Sequence, residues 1–104
     1  MSQPTGLADV AEQFMAIAES IEAHQPAGTL LKLFQEAQLI CRSAASHERL
    51  AEPQRLLTNV QTALATWQDV WPRLGSRLEF RLAVVREARL WSKRFAEAGA
   101  CSER

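Results

Sequence analysis

The clearest helical signal in the chain is residues 53–71, PQRLLTNVQTALATWQDVW. Pro53 suits the first turn of a helix, where its missing N–H has no helical partner. Pro72 disfavours helical geometry at Trp71, and Gly75 is a natural residue just past a helix end. We therefore expect an amphipathic helix over 53–71. Its apolar residues follow the three- and four-residue spacing of one helix face: Leu56, Leu57, Val60, Ala63, Leu64, Trp67 and Trp71.

Three further segments show the same apolar period, and we expect helices at about 6–24, 29–46 and 76–98. Pro26 and Gly28 separate the first two segments. Ser76 and Glu79 have the spacing of a capping box that opens the last helix. The pattern is ambiguous over 43–52, which we take as a connector, and Gly99 is expected to end the last helix before a flexible tail over 100–104.

No alternation of apolar and polar residues competes with these helices, and the helix formers Ala, Leu, Glu, Gln and Arg dominate. A chain of 104 residues is the usual size of one domain. Short connections between helices favour antiparallel neighbours. The sequence therefore predicts a single all-α domain, an up-down-up-down four-helix bundle over 1–104.

Charge is distributed unevenly along a chain whose 12 basic and 12 acidic residues cancel. Residues 1–28 carry four acidic side chains and no Lys or Arg, whereas residues 72–104 carry eight basic and four acidic ones. The first and last helices would be neighbours in the predicted bundle, so opposite charges on their edges favour that order. The zero net charge gives no long-range attraction to nucleic acid or to an anionic membrane.

The sequence shows no signal peptide and no apolar run of the roughly 18 residues that span a bilayer. Cys41 lies in an apolar helical stripe and Cys101 in the polar end, a pattern typical of neither a disulfide framework nor a metal site. We expect a cytoplasmic protein without a membrane partner.

Residues that carry catalysis are scarce in this sequence. It has two histidines, no Glu-x-x-His motif, no phosphate-binding glycine loop and no recognisable nucleophile motif. Cys41 has no partner nearby in sequence and is expected to be a buried apolar group. We therefore expect no metal, no cofactor and no enzymatic activity.

Several apolar residues lie outside the expected core stripes. In the last helix, Leu78, Leu82 and Val85 lie more than 90° from the main face, and basic residues continue that side. The helix could be buried on two sides, or the leucines could be isolated surface residues; the alternative is a partner-binding face rimmed by positive charge. The predicted partner-binding residues are Leu31, Leu39, Trp71, Leu78, Leu82, Val85, Arg89 and Lys93.

These features favour a non-enzymatic protein–protein interaction module, such as a small adaptor, assembly or chaperone-like protein, with a homodimer as its simplest form. An alternative is weak nucleic-acid binding through Arg86, Arg89 and Lys93, although the glutamates interspersed with these basic residues disfavour it. A third possibility, an enzyme or small-ligand carrier, requires a pocket between helices beside Trp67 and Trp91.

Overall fold

The computed structural model describes the backbone of residues 6–102 and the side chains of residues 6–99. Within residues 6–102 it contains four α-helices and no strand: α1 (Leu7–Glu22), α2 (Ala27–His47), α3 (Ala51–Leu74) and α4 (Leu78–Ser102). The helices form an elongated bundle of 42 × 23 × 23 Å. The predicted all-α four-helix bundle is confirmed.

The helices pack as two close pairs, α1 with α4 and α2 with α3, and α1 also packs against α2. The expectation that the first and last helices are neighbours is therefore confirmed. The α3/α4 contact is the smallest of the four. Five aromatic rings form the centre of the core and are buried within it: Phe14, Phe34, Trp67, Trp71 and Phe95.

The third helix continues beyond its predicted end at Trp71, through Pro72 to Leu74. Pro72 removes a single backbone hydrogen bond in the last turn. The buried ring of Trp71 holds that turn in place, with centroids 5.4 Å from Phe34 and 5.6 Å from Phe80. The helix ends before Gly75, as predicted. Only glycine fits at this position, because a methyl group there would lie 2.7 Å from the Trp71 indole.

The turn between α1 and α2 has the predicted length of four residues but lies two residues earlier in the chain. α1 ends at Glu22, and His24 adopts a left-handed conformation with φ 57°. The N–H of His24 donates to the Ile21 carbonyl and that of Gln25 to the Ser20 carbonyl, both at 3.1 Å. This is the hydrogen-bond pattern of a Schellman cap, with His in the place usually taken by Gly. α2 then begins at Ala27, two residues before the predicted start.

The predicted connector over 43–52 is mostly helical. α2 continues through His47 and α3 begins at Ala51, so only Glu48–Leu50 link the two helices. The Glu48 carboxylate accepts the N–H of Leu50 at 3.0 Å, and the Gln54 amide donates to the Glu48 carbonyl at 3.4 Å. These local bonds replace the helical ones in the link, which is why so short a connection is sufficient.

The bounds of the last helix also differ from the prediction. α4 begins at Leu78, so the N-cap residue is Arg77 and not the predicted Ser76. The carbonyl of Arg77 accepts the N–H of Arg81 at 3.0 Å. Gly99 does not end α4, which continues to Ser102. Gly99 lies against α1, where a methyl group would be 3.5 Å from the Cβ of Leu7. Of the predicted tail, residues 103–104 lie outside the described residues.

Candidate functional site

Small residues bring α1 and α4 close together. Ala11 and Ala18, seven residues apart on α1, are buried, as is Ser92 on α4. The Ser92 hydroxyl donates a hydrogen bond to the Ala11 carbonyl at 2.8 Å, a direct bond between the two helices. Because side chains of this size hold the backbones near each other, the outer sides of α1 and α4 form one continuous surface.

This surface, called here the α1/α4 outer face, consists of two rows with the same i, i+4, i+7, i+11 spacing. Met15 is 38% exposed and Leu82 is 54% exposed, and the other six side chains are also exposed. The charged side chains of the α1 row are all Glu, and those of the α4 row are all Arg or Lys. The members are Ala8, Glu12, Met15 and Glu19 on α1, and Leu82, Arg86, Arg89 and Lys93 on α4.

Within the described residues, one ion pair joins α1 to the α4 row, where Arg89 binds the carboxylate of Glu22, a residue outside the α1 row. Among the described side chains, Glu12, Glu19, Arg86 and Lys93 form no ion pair. Exposed charges of this kind contribute about 0–1 kcal/mol per pair to stability. The two charged rows are therefore available to a partner at little cost to the fold.

The structure places the predicted partner-binding residues in three environments. Leu78, Leu82, Arg89 and Lys93 are exposed on one side of α4, as expected. Val85 is instead buried at 8% exposure on the α1 side of α4. The expectation that Val85 lies on the exposed side of α4 is therefore wrong: Val85 lies two helical turns before Ser92, on the side of α4 that bonds to α1.

Trp71 is buried as well, with 2% of its surface exposed. Trp71 was expected on the apolar stripe and also among the partner-binding residues, because a helix end at Trp71 would leave its ring partly exposed. α3 instead continues to Leu74, and Phe80 of α4 packs against the ring. Neither Trp71 nor Val85 can contact a partner while the bundle is closed.

The two predicted residues of α2 do not join the α4 residues. Leu31 is half-buried and Leu39 is 55% exposed. α2 packs on α1 and α3 and is diagonally opposite α4. Leu39 is therefore an exposed leucine remote from the α1/α4 outer face.

Arg81 has a structural role that the sequence did not indicate. Its guanidinium donates to the carbonyl of Gly75 at 2.7 Å and to that of Ile21 at 3.0 Å. It also lies over the Trp71 ring, 5.4 Å from the ring centroid. Arg81 thus binds carbonyls near the ends of two helices, and at Ile21 it adds a second donor to the N–H of His24. Ile21 is 60 positions away in the sequence, so helix periodicity carries no signal for this contact.

A solvent-open cleft of about 650 Å³ lies where the start of α3 diverges from the end of α4, lined by Leu50, Pro53, Leu56, Arg94 and Ala98 among others. This cleft is not the pocket beside Trp67 and Trp91 that an enzyme or ligand carrier would require. The Trp67 ring is buried, with centroids 6.3 Å from Phe14 and 6.0 Å from Phe34, and the Trp91 ring lies 6.1 Å from Phe95.

Groups capable of metal or thiol chemistry are few in the described part of the chain. Cys41 is buried, and burial raises the pKa of its thiol to about 12. Residues 6–102 contain no group of three or more His, Cys, Asp or Glu side chains arranged to hold a metal ion. None of the helices in that range has the length and apolarity that crossing a bilayer requires.

The chain matches no protein-family model, and no curated protein and no solved structure is detectably similar to it.

Proposed function

We propose that this chain is a non-enzymatic interaction module that associates with a second copy of itself through the α1/α4 outer face. One observation carries the proposal: an exposed apolar residue on each helix, Met15 and Leu82, lies beside two rows of opposite charge. A surface that offers both signs of charge is complementary to itself, which a homodimer requires. In the cell, we propose that this dimer acts in the cytoplasm as an adaptor or assembly protein.

The same surface fits nucleic acid less well. Arg86, Arg89 and Lys93 form a row that could bind phosphates, but Glu12 and Glu19 lie on the adjacent helix. Packed helix axes are about 8–10 Å apart, which is close to the roughly 8 Å Debye length at physiological salt. A phosphate backbone on the basic row would therefore be repelled by the acidic row. Self-association uses both rows, so we favour it.

The experiment is the solution mass by size-exclusion chromatography with light scattering over a concentration series. The natural chain is expected at twice its 11.6 kDa mass. Leu82→Glu should give the single-chain mass, because it buries a charge in the interface. Circular dichroism should show unchanged helix content, since Leu82 is exposed.

Leu39→Glu is the matched control, because Leu39 is as exposed as Leu82 but lies on α2. It should dimerise like the natural chain. A single-chain mass for the natural protein at all concentrations would contradict the proposal, as would equal effects of the two substitutions. Binding of labelled DNA or RNA that weakens steeply with salt would instead support the nucleic-acid alternative.

A further inference from the structure

The geometry points to a specific arrangement of that dimer: its two-fold axis is parallel to the helices, so that α1 of each protomer lies over α4 of its partner. This inference rests on the proposed self-association and adds its orientation and register. It follows from the α1/α4 outer face, where each row carries a single sign of charge.

Two face-to-face arrangements keep the helices of both copies aligned, and charge separates them. A two-fold axis parallel to the helices puts the acidic row of each copy over the basic row of the other. A two-fold axis lying across the helices in the interface plane puts acidic over acidic and basic over basic. Like charges placed opposite each other across an interface are strongly unfavourable. The first arrangement is therefore selected.

Contacts within the chain fix which residues lie at the same height along the bundle. Ser92 bonds to Ala11, and Gly99 lies beside Leu7. Since α1 and α4 are antiparallel, each step forward on one helix is a step back on the other. A two-fold axis parallel to the helices preserves these heights between the copies.

The resulting register matches residue types at five successive levels. Two levels pair opposite charges, the two outermost levels pair apolar residues, and the middle level places Met15 against the aliphatic stem of Arg89. All these side chains are exposed in the single chain. The pairs across the interface are Ala8 with Ala96, Glu12 with Lys93, Met15 with Arg89, Glu19 with Arg86, and Ala23 with Leu82.

Charge reversal tests this arrangement with two double variants. The acid-reversed variant carries Glu12→Lys and Glu19→Lys, and the base-reversed variant carries Arg86→Glu and Lys93→Glu. Each variant alone opposes like charges at four places in the symmetric dimer. We expect its dissociation constant to rise at least about tenfold, measured by light scattering and sedimentation.

Mixing the two variants is the decisive step. In a mixed dimer, every reversed row faces a row of opposite charge, so the heterodimer should form with a dissociation constant at least about tenfold below that of either variant alone. A chain that carries all four substitutions should dimerise with itself. Raising the salt concentration should weaken the mixed dimer, because exposed pairs are screened.

Lys32→Glu with Arg42→Glu on α2 is the control, since both residues are exposed and remote from α4. This variant should keep the natural dimer mass, and circular dichroism should show all variants folded. If the natural chain dimerises and both reversed variants do so equally well, the inferred arrangement is wrong while the proposed function stands. The inferred arrangement is also wrong if the acid-reversed and base-reversed variants fold but form no heterodimer. A natural chain that stays monomeric overturns both.

Discussion

The two sides of α4 differ in how closely they meet their neighbours. On the α1 side, Ser92 bonds directly to the Ala11 carbonyl, and Gly99 lies against Leu7. On the α3 side, α4 presents large half-buried rings, and the guanidinium of Arg94 lies over the ring of Trp91 at 5.2 Å. The helices diverge beyond that point and leave the solvent-open cleft.

Side-chain size, more than total hydrophobicity, therefore determines which helices of this bundle approach closely. Small residues at seven-residue spacing bring α1 and α4 together into one surface. Bulky residues on the other side keep α3 at a distance. The α1/α4 outer face is therefore the part of the bundle best suited to present a fixed arrangement of charges.

The largest effect is expected at Phe14, where the two sides meet. Its ring stacks on Phe95 of α4 at 6.1 Å and meets Trp67 of α3 edge-on at 6.3 Å. Phe14→Ala should lower the free energy of unfolding by about 3–5 kcal/mol, because it leaves a cavity between three helices. Urea unfolding followed by circular dichroism measures the loss. Leu39→Ala, at an exposed position, should change stability by less than about 0.5 kcal/mol.

A smaller effect separates the two sides directly. Ala18→Leu inserts bulk into the closed α1/α4 contact, where Ala18 is fully buried, and should cost about 1–3 kcal/mol. Ala63→Leu adds the same bulk on α3 at a half-buried position, seven residues beyond the cleft-lining Leu56, and should cost less, under about 1 kcal/mol. Thermal and urea unfolding compare the two variants. Equal costs would show that the α3/α4 contact is as tightly packed as the α1/α4 contact.

The smallest effect concerns Cys41, which is buried in α2, away from both sides of α4. Its thiol has a pKa of about 12 in the folded chain, against an ordinary value of 9.0. The unfolded chain therefore loses this proton first, so stability is full below pH 9 and falls as the pH rises from 9 toward 12. Between pH 8 and 10 the natural chain should lose about 1.4 kcal/mol more than Cys41→Ala does.

Urea unfolding of both chains at the two pH values measures this difference, and Cys101 cancels because both chains contain it. An equal pH dependence in the two chains would mean that the Cys41 thiol is solvated in the folded state.

Much of the fold was predictable from local pattern. The stripe ending in Trp67 and Trp71 identified α3, and Gly75 marked its end correctly. The stop predicted at Pro72 was wrong, because propensity describes a helix in isolation, whereas the buried ring of Trp71 holds the last turn in this bundle. The stop predicted at Gly99 was also wrong, since α4 continues to Ser102 and Gly99 lies beside Leu7 of α1.

The candidate site was predictable only in part. The off-stripe position of Leu78 and Leu82 correctly indicated exposed leucines on α4. The same projection could not show that Val85 is buried or that Leu39 lies apart from the α4 leucines. A wheel projection gives the direction of a side chain but not which helix, if any, packs against it. The acidic row of α1 was visible in the sequence as a charge bias, but its alignment with the basic row was not.

By itself, the sequence determined four amphipathic helices, their approximate bounds and the placing of the first helix next to the last. These features depend on local spacing and on the sign of charge. Only the tertiary structure decided which side of α4 is closed, how Arg81 joins two helix ends, and which residues share the α1/α4 outer face. Those features depend on contacts between positions some 60 to 90 residues apart, where steric fit and hydrogen bonding between helices replace local propensity.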